Sequence, residues 1–223
     1  MSNNLENWTK YQQNPIIDFN CWWPTVVHDG EKFYMFYAEY NKNGDSRIVM
    51  RSSENGLQFG GKTIVVPYSK DEQNQNPFIC FNQADSNYYL FYYNGTERAK
   101  TNPRWNIMVK KSSSLIGLST AKFNMVLSSG KTMAAPSVAF YNGKYFLLVE
   151  EFENFDTMEK WVTNAFWSDE INKGYRRVSN NPILANNDAC AFQYLINGNL
   201  CVFYSHSTNA ENSNWNIKMI KLK

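Results

Sequence analysis

Four ionisable side chains recur at matching places along this chain: Glu39, Glu151, Asp188 and His206. Each falls at or beside the end of an apolar, aromatic-rich run. Two carboxylates facing each other can cleave a glycosidic bond. One protonates the leaving oxygen, and the other serves as base or nucleophile. A separation of ~6.5–9.5 Å gives inversion and ~5–5.5 Å gives retention. Crowding of like charge and loss of water at a narrow mouth raise one pKa, which suits a general acid. Glu39 and Glu151 are the expected catalytic pair, with Asp188 or His206 tuning or replacing the acid. Glu150 rivals Glu151, because a shift of one residue moves a strand side chain to the opposite face. Oxygen and imidazole donors of this kind also suit a divalent cation. Their spacing forms no metal motif, however, and neither a metal nor a cofactor is expected. The plain alternative is a solvated rim for the carboxylates and a satisfied hydrogen bond for His206.

Seven further residues are expected around the same place: Trp22, Trp23, Asn76, Asn94, Trp105, Trp161 and Trp215. Indole rings can stack on the apolar face of a sugar, or else pack inside the fold. Arg47 and Arg98 could meet a carboxylate or phosphate on a ligand. Neither lies in a glycine-rich phosphate loop, and no G-x-S-x-G context is present.

What would bring these residues together is a repeat. Four stretches share one pattern: "WPTVVHDGEKFYMFYAE" from Trp23, "NPFICFNQADSNYYLFYYN" from Asn76, "APSVAFYNGKYFLLVEE" from Ala135 and "DACAFQYLINGNLCVFYSH" from Asp188. Each reads as a strand, a tight turn and an aromatic strand. The turns centre on Asp29-Gly30, Asp85-Ser86, Asn142-Gly143 and Asn197-Gly198. Asn-Gly and Asp-Gly favour type I′ turns, in which both central residues take positive φ. A third strand follows in every unit: "SRIVMRSS", "RWNIMVKKSS", "WVTNAFWS" and "WNIKMIKLK". A weaker fourth follows in the first three: "LQFGGKTIVV", "AKFNMVLSS" and "YRRVSNNPIL".

Four-stranded units repeating at this length predict an all-β fold, a β-propeller of four blades. One domain over 1–223 is expected, with blades at about 23–75, 76–134, 135–187 and 188–223. The last unit lacks a fourth strand. "WTKYQQNPII", residues 8–17, matches "YRRVSNNPIL" in its aromatic start and its Asn-Pro-Ile. It is therefore expected to complete the last blade and leave no open edge. The alternative is a piece of a larger propeller.

Composition narrows the partners. The net charge is +2 with no basic stripe, so nucleic acid and anionic membrane are not expected. No apolar run is long enough to span a bilayer, and no leader pattern opens the chain. Cys21, Cys80, Cys190 and Cys201 form no CxxC pair. Centring the last hairpin on Asn197-Gly198 pairs Cys201 with Tyr194 and sets Cys190 against Ser205, out of register for a disulfide. A reduced, cytoplasmic protein is the expectation. The expected partner is a small-molecule or glycan ligand; the sequence leaves the oligomeric state open.

The order x-Pro-Ser/Thr-Val, turn, Tyr-x-x-Phe-Tyr, then a strand ending in Ser, resembles the β-propeller glycoside hydrolases. These comprise the arabinanase and xylosidase group and the invertase and levansucrase group. The resemblance covers nearly the whole chain as a repeat. It implies a propeller of five blades, whereas four are counted here. It also implies carboxylates just before the first and second prolines, and another two residues before the third. Those places hold Trp23, Asn76 and Ala134, so the family's catalytic roles do not transfer. The levansucrase-like Asp-x-Trp-Pro order is not met either, since Asp18 lies well before Pro24. Three functions remain: a carbohydrate-active enzyme with a relocated acid/base pair, a non-catalytic glycan- or metabolite-binding propeller, and non-hydrolytic chemistry on a biosynthetic intermediate.

Overall fold

The computed structural model describes residues 7, 9–17, 20–96, 105–128, 132–154, 159–185, 188–207 and 215–221. Its strands fall into four sheets, one per repeat, arranged as a four-bladed β-propeller. Blade one holds β1 (Trp22–His28), β2 (Phe33–Tyr40), β3 (Ser46–Ser53) and β4 (Gly60–Val66). Blade two holds β5 (Glu72–Asn82), β6 (Asn87–Thr96), β7 (Trp105–Ser112) and β8 (Phe123–Ser128). Blade three holds β9 (Met133–Tyr141), β10 (Lys144–Asn154), β11 (Glu159–Ser168) and two short pieces, β12 (Arg176–Arg177) and β13 (Leu184–Ala185). Blade four holds β14 (Asp188–Ile196), β15 (Asn199–Ser207) and β16 (Trp215–Lys221). Every pairing within a blade is antiparallel, from the innermost strand outward.

The turns follow their sequences. Asn142-Gly143 and Asn197-Gly198 are two-residue turns with positive φ at both positions, as type I′ requires. Asp29-Gly30 differs. There the turn spans four residues, and Asp29 Oδ1 accepts from the backbone N–H groups of Glu31 and Lys32. An aspartate that caps its own turn in this way competes with the tighter hairpin.

Apolar seams join the blades. Phe36, Ile48 and Met50 of blade one meet Ile79, Leu90 and Tyr92 of blade two. Phe91 and Ile107 of blade two meet Val138, Leu147 and Val149 of blade three. Leu148 and Ala165 of blade three meet Ala191 and Val202 of blade four. No comparably packed seam joins β14 back to β1 among the described residues.

The expected pairing of the N-terminal segment with blade four is not made. Residues 9–17 form no strand, and the fourth sheet keeps three. Trp8 lies outside the described residues. Ile17 and Cys21 pack instead on Met35, Tyr37 and Val49, the face of blade one turned away from blade two. The physical reason is visible in the matching stretch of blade three. There the Asn181-Pro182 step interrupts the ladder, and only β12 and β13, of two residues each, pair with β11. Proline has no N–H to donate, and Pro15 repeats that break.

One irregularity recurs in all four blades. The innermost strand carries a β-bulge near its start, and the bulged residue has positive φ. These residues are Trp23, Asn76, Ala135 and Cys190, with φ of 49°, 48°, 47° and 53°. None is glycine, so each holds a conformation that costs an L-residue ~1–2 kcal/mol. The first three precede a proline, and the fourth precedes Ala191. The bulge of blade four thus lies two residues beyond Asp188, the position the sequence aligned with Trp23. It also sets Ala189, not Cys190, against Ser205, while Cys201 pairs with Tyr194 as expected. All four cysteines are free thiols.

Candidate functional site

The bulges surround a cavity of about 400 Å³ at one end of the propeller, within the usual range for small-ligand sites. Blade one contributes Trp23 and Tyr40 to its wall. Blade two contributes Gln73, Gln75, Asn76, Tyr93 and Trp105. Blade three contributes Ala134, Glu150 and Trp161, and blade four contributes Cys190. A bulge lets consecutive residues face the same way, which is how both Gln75 and Asn76 reach the wall.

The aromatic wall is built, not incidental. Trp105 lies parallel to Tyr93, with ring centroids 4.7 Å apart and planes at 7°. The indole also covers Gly95, where an added Cβ would lie 2.3 Å from Trp105 Cδ1. Only glycine leaves room for it there. Across the cavity Trp23 sits 6.4 Å from Tyr40. The Tyr93 hydroxyl donates to Gln75 Oε1. Gln75 is buried, and its Nε2 has no hydrogen-bond acceptor.

Glu150 is the acidic group of this wall. Strand alternation decides this: Glu150 pairs with Ala134 at the bulge, and Glu151 with Met133. The Cys190 backbone N–H donates to the Glu150 carboxylate. Among the described residues no cation pairs with Glu150. Burial pushes its pKa up to about 7, and the Cys190 N–H opposes this only in part.

The four residues at matching strand ends do occupy equivalent positions, one step beyond Ala38, Tyr93, Glu150 and Ser205. That step turns them to the other face of each blade, and none of them is in the cavity wall. Glu39 is buried and accepts from Arg47 Nη2 at 2.8 Å, Lys62 Nζ at 2.6 Å and the Tyr37 hydroxyl at 3.2 Å. Burial acts to raise its pKa, but the Lys62 and Arg47 charges outweigh this and hold it below the usual value. Asn94 donates to Asn74 Oδ1 at 2.9 Å and Glu72 Oε2 at 3.3 Å. Glu151 binds Arg177 Nη1 at 2.9 Å and Asn164 Nδ2 at 2.5 Å. His206 Nδ1 lies 2.6 Å from Asp188 Oδ1. The structure therefore brings Asp188 and His206 together, while Glu39 and Glu151 are each tied to partners in their own blade. Among the described residues no group of three or more His, Cys, Asp or Glu could hold a metal ion.

Of the seven residues expected to bind ligand, Trp23, Asn76, Trp105 and Trp161 line the cavity. Trp22 stands beside it, half exposed, with its ring 5.8 Å from Trp23 and 5.9 Å from Tyr40. Asn94 faces away. Trp215 opens β16, and its side chain lies outside the described residues, as does Arg98. Arg47 is engaged with Glu39 and covers the Tyr68 ring. Sequence reasoning missed Tyr40, Gln73, Gln75, Tyr93, Ala134 and Cys190. A signal existed for the glutamines. "EQNQNPF" alternates two residue types ahead of the proline, and β5 begins there, at Glu72.

Comparison with solved structures places this architecture. A thermostable family-43 glycoside hydrolase superposes with a TM-score of 0.72 at 17% identity, over 90% of this chain and 70% of that one. The fold is that of the propeller glycoside hydrolases. The Cellvibrio cellulosa α-L-arabinanase complexed with arabinohexaose gives 0.72 at 13% identity, over 94% of this chain and 76% of that one. The Bacteroides thetaiotaomicron endo-arabinase gives 0.70 at 14%, over 96% and 78%. No family model matches the sequence, and no curated protein does. The chain shares the fold of these propeller glycoside hydrolases at low sequence identity, with four blades. Trp23, Asn76 and Ala134, where their pattern implies carboxylates, all line the cavity.

No helix among the described residues is long and apolar enough to cross a membrane.

Proposed function

We propose that the protein recognises a carbohydrate, a glycan or sugar-containing metabolite, in the cavity at the propeller mouth. The observation that carries this reading is the wall itself. Indoles from three blades surround amide side chains and one carboxyl. Flat rings suit the apolar faces of a sugar, and amides suit its hydroxyls. The fold shared with an arabinanase complexed with arabinohexaose supports the same class of ligand. Hydrolysis by two carboxylates needs both to face the sugar. Among the described residues the wall offers Glu150 alone, while Glu39 and Glu151 are held by cations on the other faces of their blades. Recognition without cleavage is therefore the reading best supported.

One observation favours catalysis as a second reading. A carboxyl with a pKa of about 7 is suited to donate a proton near neutral pH. In that case Glu150 is the acid.

Titration with a broad panel of oligosaccharides, followed by tryptophan fluorescence, tests the proposal. Quenching that saturates, and that weakens about tenfold or more in Trp161→Ala, is the expected result. A panel that leaves the fluorescence unchanged overturns it. Release of sugar from any panel member, abolished in Glu150→Gln, would replace recognition by catalysis.

A further inference from the structure

The charge inventory of the cavity goes further than its aromatic character. Among the described residues the wall contains one acidic residue, Glu150, and no lysine, arginine or histidine. Arg47 and Lys62 are committed to Glu39, and Arg177 to Glu151. Glu150 is 6% exposed, and among the described residues it has no ion-pair partner. A buried carboxylate without a counter-charge is costly, and an arriving cation removes that cost. The surrounding rings add to the attraction, since an ammonium over an indole or phenol face is held by the ring quadrupole. A sugar acid or phosphorylated sugar would meet the reverse: a like charge and, among the described residues of the wall, no cation to answer it.

We propose that the ligand of this cavity is an amino sugar with a free amine, whose ammonium pairs with Glu150 among the rings of Trp23, Tyr40, Trp105 and Trp161. The inference rests on the carbohydrate reading above and names the class of sugar. Gln75 completes the site. Its buried Nε2 lacks an acceptor, and a hydroxyl oxygen of the same sugar would supply one. An unpaired buried donor is expensive enough to make that contact selective.

The test compares three chemical forms of each sugar: glucosamine, galactosamine and mannosamine against their N-acetylated and neutral parents, with glucuronate as the anionic member. Affinities are measured at about neutral pH by calorimetry on the wild-type chain, Glu150→Gln and Trp161→Ala. The expected result is that at least one free amine binds about tenfold or more tightly than its acetylated and neutral forms. The preference should fall towards unity in Glu150→Gln. Trp161→Ala should weaken all forms, the amine included, and still leave the amine preferred, because Glu150 remains. If neutral and acetylated sugars bind as well as the amine, the amino-sugar assignment is overturned while carbohydrate recognition survives. If no form of any sugar binds, both are overturned. The wild-type ranking decides between these outcomes even if Glu150→Gln fails to fold.

Discussion

Glu39 and Glu150 are both buried carboxylates at the end of a blade's second strand, yet their surroundings drive them in opposite directions. Glu39 lies within blade one beside Arg47 and Lys62 and is held ionised. Glu150 lies at the mouth beside indoles and one backbone N–H and is pushed up to about 7. One residue of register separates the two situations, since Glu151, next to Glu150, occupies the place of Glu39 and finds its own cation in Arg177. The blade interior thus treats a carboxylate as part of the fold. The mouth leaves one uncompensated, which a purely structural site has no reason to do.

The largest expected effect is the pH dependence of stability, and its sign differs for the two groups. Glu150 has a folded-state pKa raised from 4.5 to about 7. The folded state therefore binds the proton more tightly, and stability falls as pH rises from about 4.5 through 7. At ~1.4 kcal/mol per pK unit the full loss is on the order of 3 kcal/mol. Urea unfolding across that range should show the decline in the wild-type chain and a flatter profile in Glu150→Gln. An equal decline in both would mean that the mouth carboxyl is not the uncompensated one.

Glu39 should give the mirror image. Its lowered pKa contributes stability above the usual glutamate value that is lost as pH falls through the lowered one. Glu39→Gln leaves Arg47 and Lys62 facing a neutral amide. Both cations keep some contact with water, which limits the cost to about 2 kcal/mol at neutral pH. The cost should shrink in acid, where the wild-type carboxyl is itself neutral. An Glu39→Gln chain as stable as wild type at neutral pH would erase the contrast with Glu150.

Most of the fold was legible before any coordinate. The four-fold recurrence of strand, turn and aromatic strand marks the blades. Asn142-Gly143 and Asn197-Gly198 fix two hairpins by backbone geometry alone. The site was only half legible, for two physical reasons. Strand side chains alternate, so the equivalence of Glu39, Asn94, Glu151 and His206 was visible while the face they take was not. The bulges also break the alternation. Three are marked by a following proline, but the fourth precedes Ala191, and without that marker the register of blade four slid by two residues, to Asp188. The N-terminal match to "YRRVSNNPIL" was read as a strand because similarity in sequence does not reveal that the copy itself pairs only in fragments.

A smaller effect probes the cavity wall against the blade interior. Gly95→Ala places a methyl where the Trp105 ring lies, and the ring must move. Overpacking of this kind costs about 1–3 kcal/mol, here shared with loss of the Tyr93 stack. Sugar affinity should drop with it, whereas Glu39→Gln should leave affinity unchanged. A Gly95→Ala chain that binds normally would show that the Trp105 plane is not part of the recognition surface.

The smallest effect concerns the bulge that sets the two faces apart. Ala135 holds a φ of 47° beside Pro136, next to the Ala134 that pairs with Glu150. Glycine adopts this conformation without the clash of a Cβ, at the cost of a more flexible unfolded chain. The balance favours Ala135→Gly by about 0.5–1 kcal/mol, read as a higher urea midpoint at unchanged slope. Neither face of β10 loses a side chain in this variant. The decline with rising pH due to Glu150 should therefore persist with the same shape on a raised curve. A gain in stability that also flattened the decline would mean that the bulge strain, rather than burial among the rings, sets the state of the mouth carboxyl.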